Sequence, residues 1–264
     1  MVGPTDDWRL TARYLYTLSL SGADWAWEWL RRNPDYAATY ALERRARRRA
    51  RAPPRGRSGP LRDRAERWGL LFLENPRCTA LEAPVFWRSE GLASLLRAGA
   101  RRSPAPGARR FELWSTPGIK AIAVGSDGAQ MVLRQAAGTH HLLFEDRGDL
   151  ADEIALELRL DAPPEGHAQF EAARRFLFAA RQARAPNASL HPQAAIMMRM
   201  LQAVDGRRAG CSYRQIADQI FGSDEVAEDW HGHGLYKARV RYLLRRGTHL
   251  ILGGYRDLLK PGRR

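Results

Sequence analysis

The side chains of this sequence best suited to act on a partner are cations interleaved with an aromatic ring. Lys237, Arg239, Arg241, Tyr242, Arg245 and Arg246 all lie between positions 237 and 246. Guanidinium and ammonium heads can read guanine edges in a major groove and can neutralise phosphates. That chemistry needs one rigid face. The spacing predicts a helix from about Leu235 to Arg246, with Gly247 as its stop. At about 100° per residue, Tyr236, Val240, Leu243 and Leu244 share one face, and Ala238, Arg241, Tyr242 and Arg245 the opposite one. Lys237 flanks the polar face on one side, Arg239 and Arg246 on the other. A helix of this kind can lie in a major groove with its flanking arginines on phosphates. On charge alone a solvated basic face would be as good a reading.

The preceding elements tip the balance toward DNA. A helix begins at Pro192, where a missing N–H costs nothing. Ala194, Met197, Met200, Leu201 and Val204 recur at helical spacing, and Gly206 is its expected end. Ser212 and Gln215 form S-x-x-Q, a capping box that opens the next helix. Tyr213, Ile216, Ala217, Ile220 and Phe221 give it one apolar stripe, and Gly222 closes it. Three short helices in succession read as a helix-turn-helix unit on double-stranded DNA. Ser212, Tyr213 and Arg214, at the start of the second helix, join the third-helix residues as candidate DNA contacts.

This C-terminal run, GRRAGCSYRQIADQIFG followed by Trp230, a basic helix and GGYRDLL, resembles the C-terminal domain of a "domain of unknown function" family. Its members occur in alphaproteobacteria and are regarded as transcriptional regulators. WAWEWLRRNPDY (Trp25 to Tyr36) looks like their second signature, a transcriptional regulator-like N-terminal domain. The resemblance covers about half the chain. It implies DNA binding and transcriptional regulation. Some members activate excision of integrative and conjugative elements, so it also implies an activator tied to mobile genetic elements.

Other chemistry finds little support. His140-His141 falls in an expected strand, where successive rings point to opposite faces and cannot share an ion. His231-x-His233 lies near Asp224, Glu225, Glu228 and Asp229, yet a mixed-charge, glycine-hinged loop over Trp230 accounts for it. Gly253-Gly254-Tyr255 after Leu250–Leu252 reads as a tight turn or the end of a small β-wing. There is no G-x-S-x-G, H-E-x-x-H or Walker A pattern. The carboxylates are too scattered for metal-dependent phosphodiester cleavage. The expectation is a non-enzyme with no cofactor and no metal.

Composition bounds the partners. The 264 residues carry a formal net charge of +14, mostly as arginine, and 44% are apolar, enough for a core. The excess points to a polyanion, nucleic acid before membrane. No run of 18 apolar residues exists, and the polar, acidic MVGPTDDWRL is unlike a signal peptide. Cys78 and Cys211 form no C-x-x-C pair, so a reducing cytoplasm is the expected location.

The fold class expected is α+β: an N-terminal helical segment, a small antiparallel β-sheet middle region and a C-terminal tri-helical helix-turn-helix domain. Residues 1–51 form the helical segment, with Trp25, Trp27 and Trp29 as a small aromatic core and Arg44 to Arg51 as a basic end. Residues 52–60 are a linker. Within 61–164, WGLLFLENP suggests a strand, SEGLASLLRAGAR a helix capped by Ser89, and four runs from Ile119 to Leu160 an antiparallel sheet of three or four strands. Residues 165–264 begin with a helix striped by Phe170, Ala173, Phe176, Leu177 and Ala180. The function expected is a DNA-binding activator that contacts RNA polymerase or a regulatory protein and forms a homodimer. A competing reading is an adaptor that docks a protein through the tryptophan cluster.

Overall fold

A computed structural model describes residues 7–49, 64–100, 111–125, 127–135, 138–146, 153–162, 166–181, 192–230 and 234–260. The linker at 52–60 lies outside them. The helices are α1 (Gly22–Leu30), α2 (Pro34–Arg49), α3 (Gly166–Arg181), α4 (Pro192–Arg208), α5 (Tyr213–Phe221), α6 (Ser223–Asp229) and α7 (Leu235–Ile251). The strands are β1 (Leu96–Ala100), β2 (Phe111–Glu112), β3 (Ile119–Gly125), β4 (Gly128–Gln135), β5 (Gly138–Phe144), β6 (Glu153–Ile154) and β7 (Leu156–Arg159). The mixed class is as expected. Packing groups the chain into two units that do not follow its linear order: 1–20 with 189–255, and 21–188 with 256–264.

In the larger unit the sheet order is β3-β4-β5-β1-β7. β3, β4 and β5 are successive antiparallel hairpins, as their Gly-bounded turns demand. Gly128 has φ +119, and a Cβ there would collide with the Phe144 carbonyl oxygen, so only glycine closes this turn. Among the described residues this sheet has five strands rather than three or four, because Leu96–Ala100 is β1 and not a helix. It pairs parallel with β5 and antiparallel with β7. Helix propensity in Leu-Leu-Arg-Ala yields to burial: Leu96 and Ala98 face the core. WGLLFLENP contributes no strand, only a Leu70–Trp87 bridge.

Cross-strand partners sort the side chains by face. Met131 opposite Leu142 and Ala129 opposite Phe144 join Leu96 and Ala98 beneath α3, which buries Ala172, Ala173 and Phe176. Phe170 and Leu177 of the expected stripe are exposed instead, because the sheet contact lies nearer the Ala172–Ala173 side of the helix. His140 shares the α3 face, with its ring 5.5 Å from Phe176. His141 is on the other face with its partner Val132, which clusters with Ala123 and Phe86. The two rings thus diverge as the pleat requires. Burial pushes His140 down to about 4 and His141 down to about 3.

The tryptophans are interior. Trp25, Trp27 and Trp29 are buried, with Trp25 stacked on Trp29, Trp27 edge-on to Tyr36, and Tyr36 edge-on to Trp68. Trp27 Nε1 donates to the Cys78 carbonyl at 3.1 Å. This removes the surface on which the adaptor reading relied. Glu28, between the rings, is fully buried. Its carboxylate accepts from Arg31 Nε and Arg32 Nη1 at 2.7 Å each and from the Ala80 N–H at 2.8 Å. Burial alone would raise its pKa, but the two guanidinium groups and the amide hold it below the usual carboxylate value.

Candidate nucleic-acid interface

The smaller unit is built around α4, whose Ala194, Met197, Met200, Leu201 and Val204 are all buried. It packs on α7, on α5 and on the N-terminal segment. That segment belongs to the helical stretch expected at 1–51, but it is not an α-helix. It is a pair of 3₁₀ turns, Asp7–Arg9 and Thr11–Ser19. The physical reason is a period of three. Trp8, Tyr14 and Thr17 are buried and Thr11 lies in register with them, which suits 3.0 residues per turn. Gln202 Nε2 donates to the Trp8 carbonyl at 3.0 Å and to Thr11 Oγ1 at 3.1 Å, and the Tyr14 hydroxyl donates to Asp205 at 3.0 Å. Gly206 does not end α4, which runs to Arg208. It lies under the Trp8 ring, where a Cβ would come within 2.8 Å of the indole. Gly210, at φ +85, follows the helix end.

The capping box of α5 forms as expected. Ser212 accepts from the Gln215 N–H at 3.2 Å, and Gln215 accepts from the Ser212 N–H at 2.8 Å. Ile216 and Ala217 are buried below it. After Gly222 (φ +102) comes α6, where a loop was expected. Its single buried anchor, Val226, suffices because α5 and α7 both pack on it. So α5 and α7 are not joined by the short turn of a simple helix-turn-helix, and among the described residues α6 stands as a fourth helix where three were expected. Asp229, at the end of α6, accepts from the Leu235 N–H at 2.7 Å. A carboxylate there satisfies an orphan donor and complements the helix dipole, so the acidic segment orients α7.

Helix α7 continues through Gly247, which is buried on its inner face, and ends at Ile251. The apolar run after it becomes a helix end and a 3₁₀ turn, Gly254–Leu258, not a β-wing. Val240, Leu243, Leu244, Leu250 and Ile251 face inward. Ala238, Arg239, Arg241, Tyr242, Arg245 and Arg246 are exposed and Lys237 is half-buried. The helix contains no Asp or Glu. Among the described residues Lys237, Arg241, Arg245 and Arg246 have no hydrogen-bond or ion-pair partner, whereas Arg239 lies over the Tyr236 and Phe221 rings at 5.4 and 5.8 Å. The α5 residues are more engaged. Arg207 lies over the Tyr213 ring at 5.8 Å, and Arg214 over Trp230 at 5.9 Å. Arg199 of α4, missed by the sequence reading, is exposed and without a partner among the described residues. A lone cation interrupting the apolar run Ala194–Leu201, off its buried stripe, was the available signal.

No carboxylate–histidine–cysteine group able to hold a metal occurs among the described residues; His231 and His233 lie outside them. Nor, among those residues, is any helix long and apolar enough to cross a membrane.

Two stretches match known families. Residues 155–260 match the T6SS transcription factor DNA-binding domain. Residues 7–73 match the proteobacterial transcriptional regulator-like domain. Each is a regulator or DNA-binding family rather than an enzyme family, which supports a DNA-binding transcriptional regulator. No curated protein matches the chain.

Proposed function

We propose that this regulator reads double-stranded DNA in the major groove through α7, and that it activates transcription. One observation carries the reading: an acid-free helix, anchored by an apolar inner face, presents unpaired cations and Tyr242 along one exposed arc. In this reading Arg241, Tyr242 and Arg245 face base edges, while Lys237, Arg239 and Arg246 at the margins hold phosphates. Ser212, Tyr213 and Arg214, at the N-terminus of α5, supply backbone contacts, helped by the unfilled donors of a helix start. Activation follows from the family resemblance and would involve RNA polymerase, a regulatory protein or a second copy of the chain. The likeness to a T6SS transcription factor DNA-binding domain makes T6SS genes the first targets to examine.

The experiment is fluorescence anisotropy of the full chain on its own promoter-region DNA and on a scrambled duplex across a salt series. Arg241→Ala should lose about 1–3 kcal/mol on the specific duplex and little on the scrambled one. Arg246→Ala should weaken both equally. Unchanged binding by both variants would refute the α7 reading. Transcription from the bound promoter with purified polymerase then tests activation, and a fall in transcript would make the protein a repressor.

A further inference from the structure

We propose that the arginine-covered end of α2, carried by the larger unit, is a second contact for the DNA phosphate backbone. The proposal rests on the reading that the chain binds DNA, and assigns it a site outside α7. Five of the six residues from Arg44 to Arg49 are arginines, and every one of the six is exposed. Among the described residues Arg44, Arg45, Arg48 and Arg49 have no hydrogen-bond or ion-pair partner. Only Arg47 is engaged, donating from Nε to Glu43 at 2.8 Å. The end of the helix keeps like charges three and four residues apart, a spacing that repels. A helix C-terminus tolerates cations, but its dipole offers only partial charge to offset five arginines. A run of phosphates would offset them fully.

The local geometry separates an extended polyanion from a small one. Tyr40, Arg44, Arg47, Arg48 and Leu73 surround a hollow of about 260 Å³, and Glu43 lines it as well. The Glu43 carboxylate is buried, and its Oε2 has no partner among the described residues. A small anion seated in the hollow would meet that carboxylate. A nucleic-acid backbone passing over the rim would meet the exposed guanidinium heads of Arg44 and Arg48, one helical turn apart on one face. The element also falls inside the segment that matches the transcriptional regulator-like domain.

The test is the salt dependence of binding by the full chain, with R44A/R48A against wild type on specific and scrambled duplexes. Arg47 is left in place because it neutralises Glu43. Losing two phosphate contacts should make the slope of log K against log salt shallower by about 1.8 on both duplexes. Between 50 and 200 mM salt the variant should then lose about 12-fold less affinity than wild type. R44K/R48K, which keeps the charge, should restore the slope, and unchanged thermal unfolding should show that the fold is intact. An unchanged slope in R44A/R48A overturns the proposal, as does a lysine variant as shallow as the alanine one. If wild type binds no DNA, the α7 reading falls and this contact with it; if it binds with a slope indifferent to α2, only this contact falls.

Discussion

The contact between Trp8 and Gly206 makes a prediction whose sign depends on background. Glycine inside a helix ordinarily costs about 1 kcal/mol relative to alanine, so by propensity alone Gly206→Ala would stabilise α4. Here the new Cβ would come within 2.8–2.9 Å of the buried Trp8 ring. Forcing the indole aside costs about 1–3 kcal/mol as overpacking. The net effect in the wild-type chain is a loss of about 0–2 kcal/mol. Trp8→Ala empties the site and should cost about 3–5 kcal/mol. In the Trp8→Ala background nothing opposes the new methyl group, and Gly206→Ala should restore about 1 kcal/mol. The coupling between the two positions is therefore about 1–3 kcal/mol. Thermal and urea unfolding of the full chain and its three variants would measure it. For a unit of this size each kcal/mol moves the midpoint by about 4–8 °C, so Trp8→Ala should lower it by at least about 12 °C. Two effects that add to within about 0.5 kcal/mol would refute the packing argument.

Three further outcomes follow from the same reasoning. Glu28→Ala should destabilise the larger unit by about 3–5 kcal/mol, because it strands two arginines and the buried Ala80 amide; a loss under 1 kcal/mol in urea unfolding would contradict the buried ion pair. His141 has a folded pKa of about 3 against an ordinary value of 6.5. The unfolded chain therefore binds the extra proton between those values, and stability present above pH 6.5 is lost progressively toward pH 3. Neither ring nitrogen has a partner among the described residues, so His141→Leu should flatten that part of the stability–pH curve at little cost near neutrality. An equally steep curve in the variant would exclude His141 as its source. Ser212→Ala should cost about 1 kcal/mol through loss of the α5 capping box, and Ser212→Asp should recover most of it; equal melting of all three forms would show that the cap contributes nothing.

What the sequence disclosed divides by distance along the chain. The α5 cap was legible because Ser212 and Gln215 are three residues apart and answer each other. The hairpins were legible for the same reason, with Gly125 and Gly128 closing one turn directly. The polar face of α7 followed from periodicity alone. Strand β1 was misread because its partner Leu142 is 46 positions from Leu96, and no local signal competes with a leucine-rich helix propensity. Gly206 and Gly247 look like stops in the sequence, since a glycine chosen for close packing has the same letter as one chosen to end a helix. Helix α6 escaped notice because one buried valine in seven residues shows no period. Asp229 showed as one acidic residue among several, and only the position of Leu235 gives its carboxylate a task.

The exchange of chain ends between the two units sets a timetable. The seat of Trp8 at Gly206 is made almost two hundred residues after Trp8 itself. At about 5–20 residues per second, the N-terminal strap waits roughly 10–40 s, with its tryptophan and Tyr14 unsheltered. The larger unit is also unfinished until Leu259 arrives to accept a hydrogen bond from the Ala93 amide. Neither unit can therefore mature ahead of the other during synthesis. If α7 holds DNA as proposed, that part of the interface is completed in one late step of synthesis.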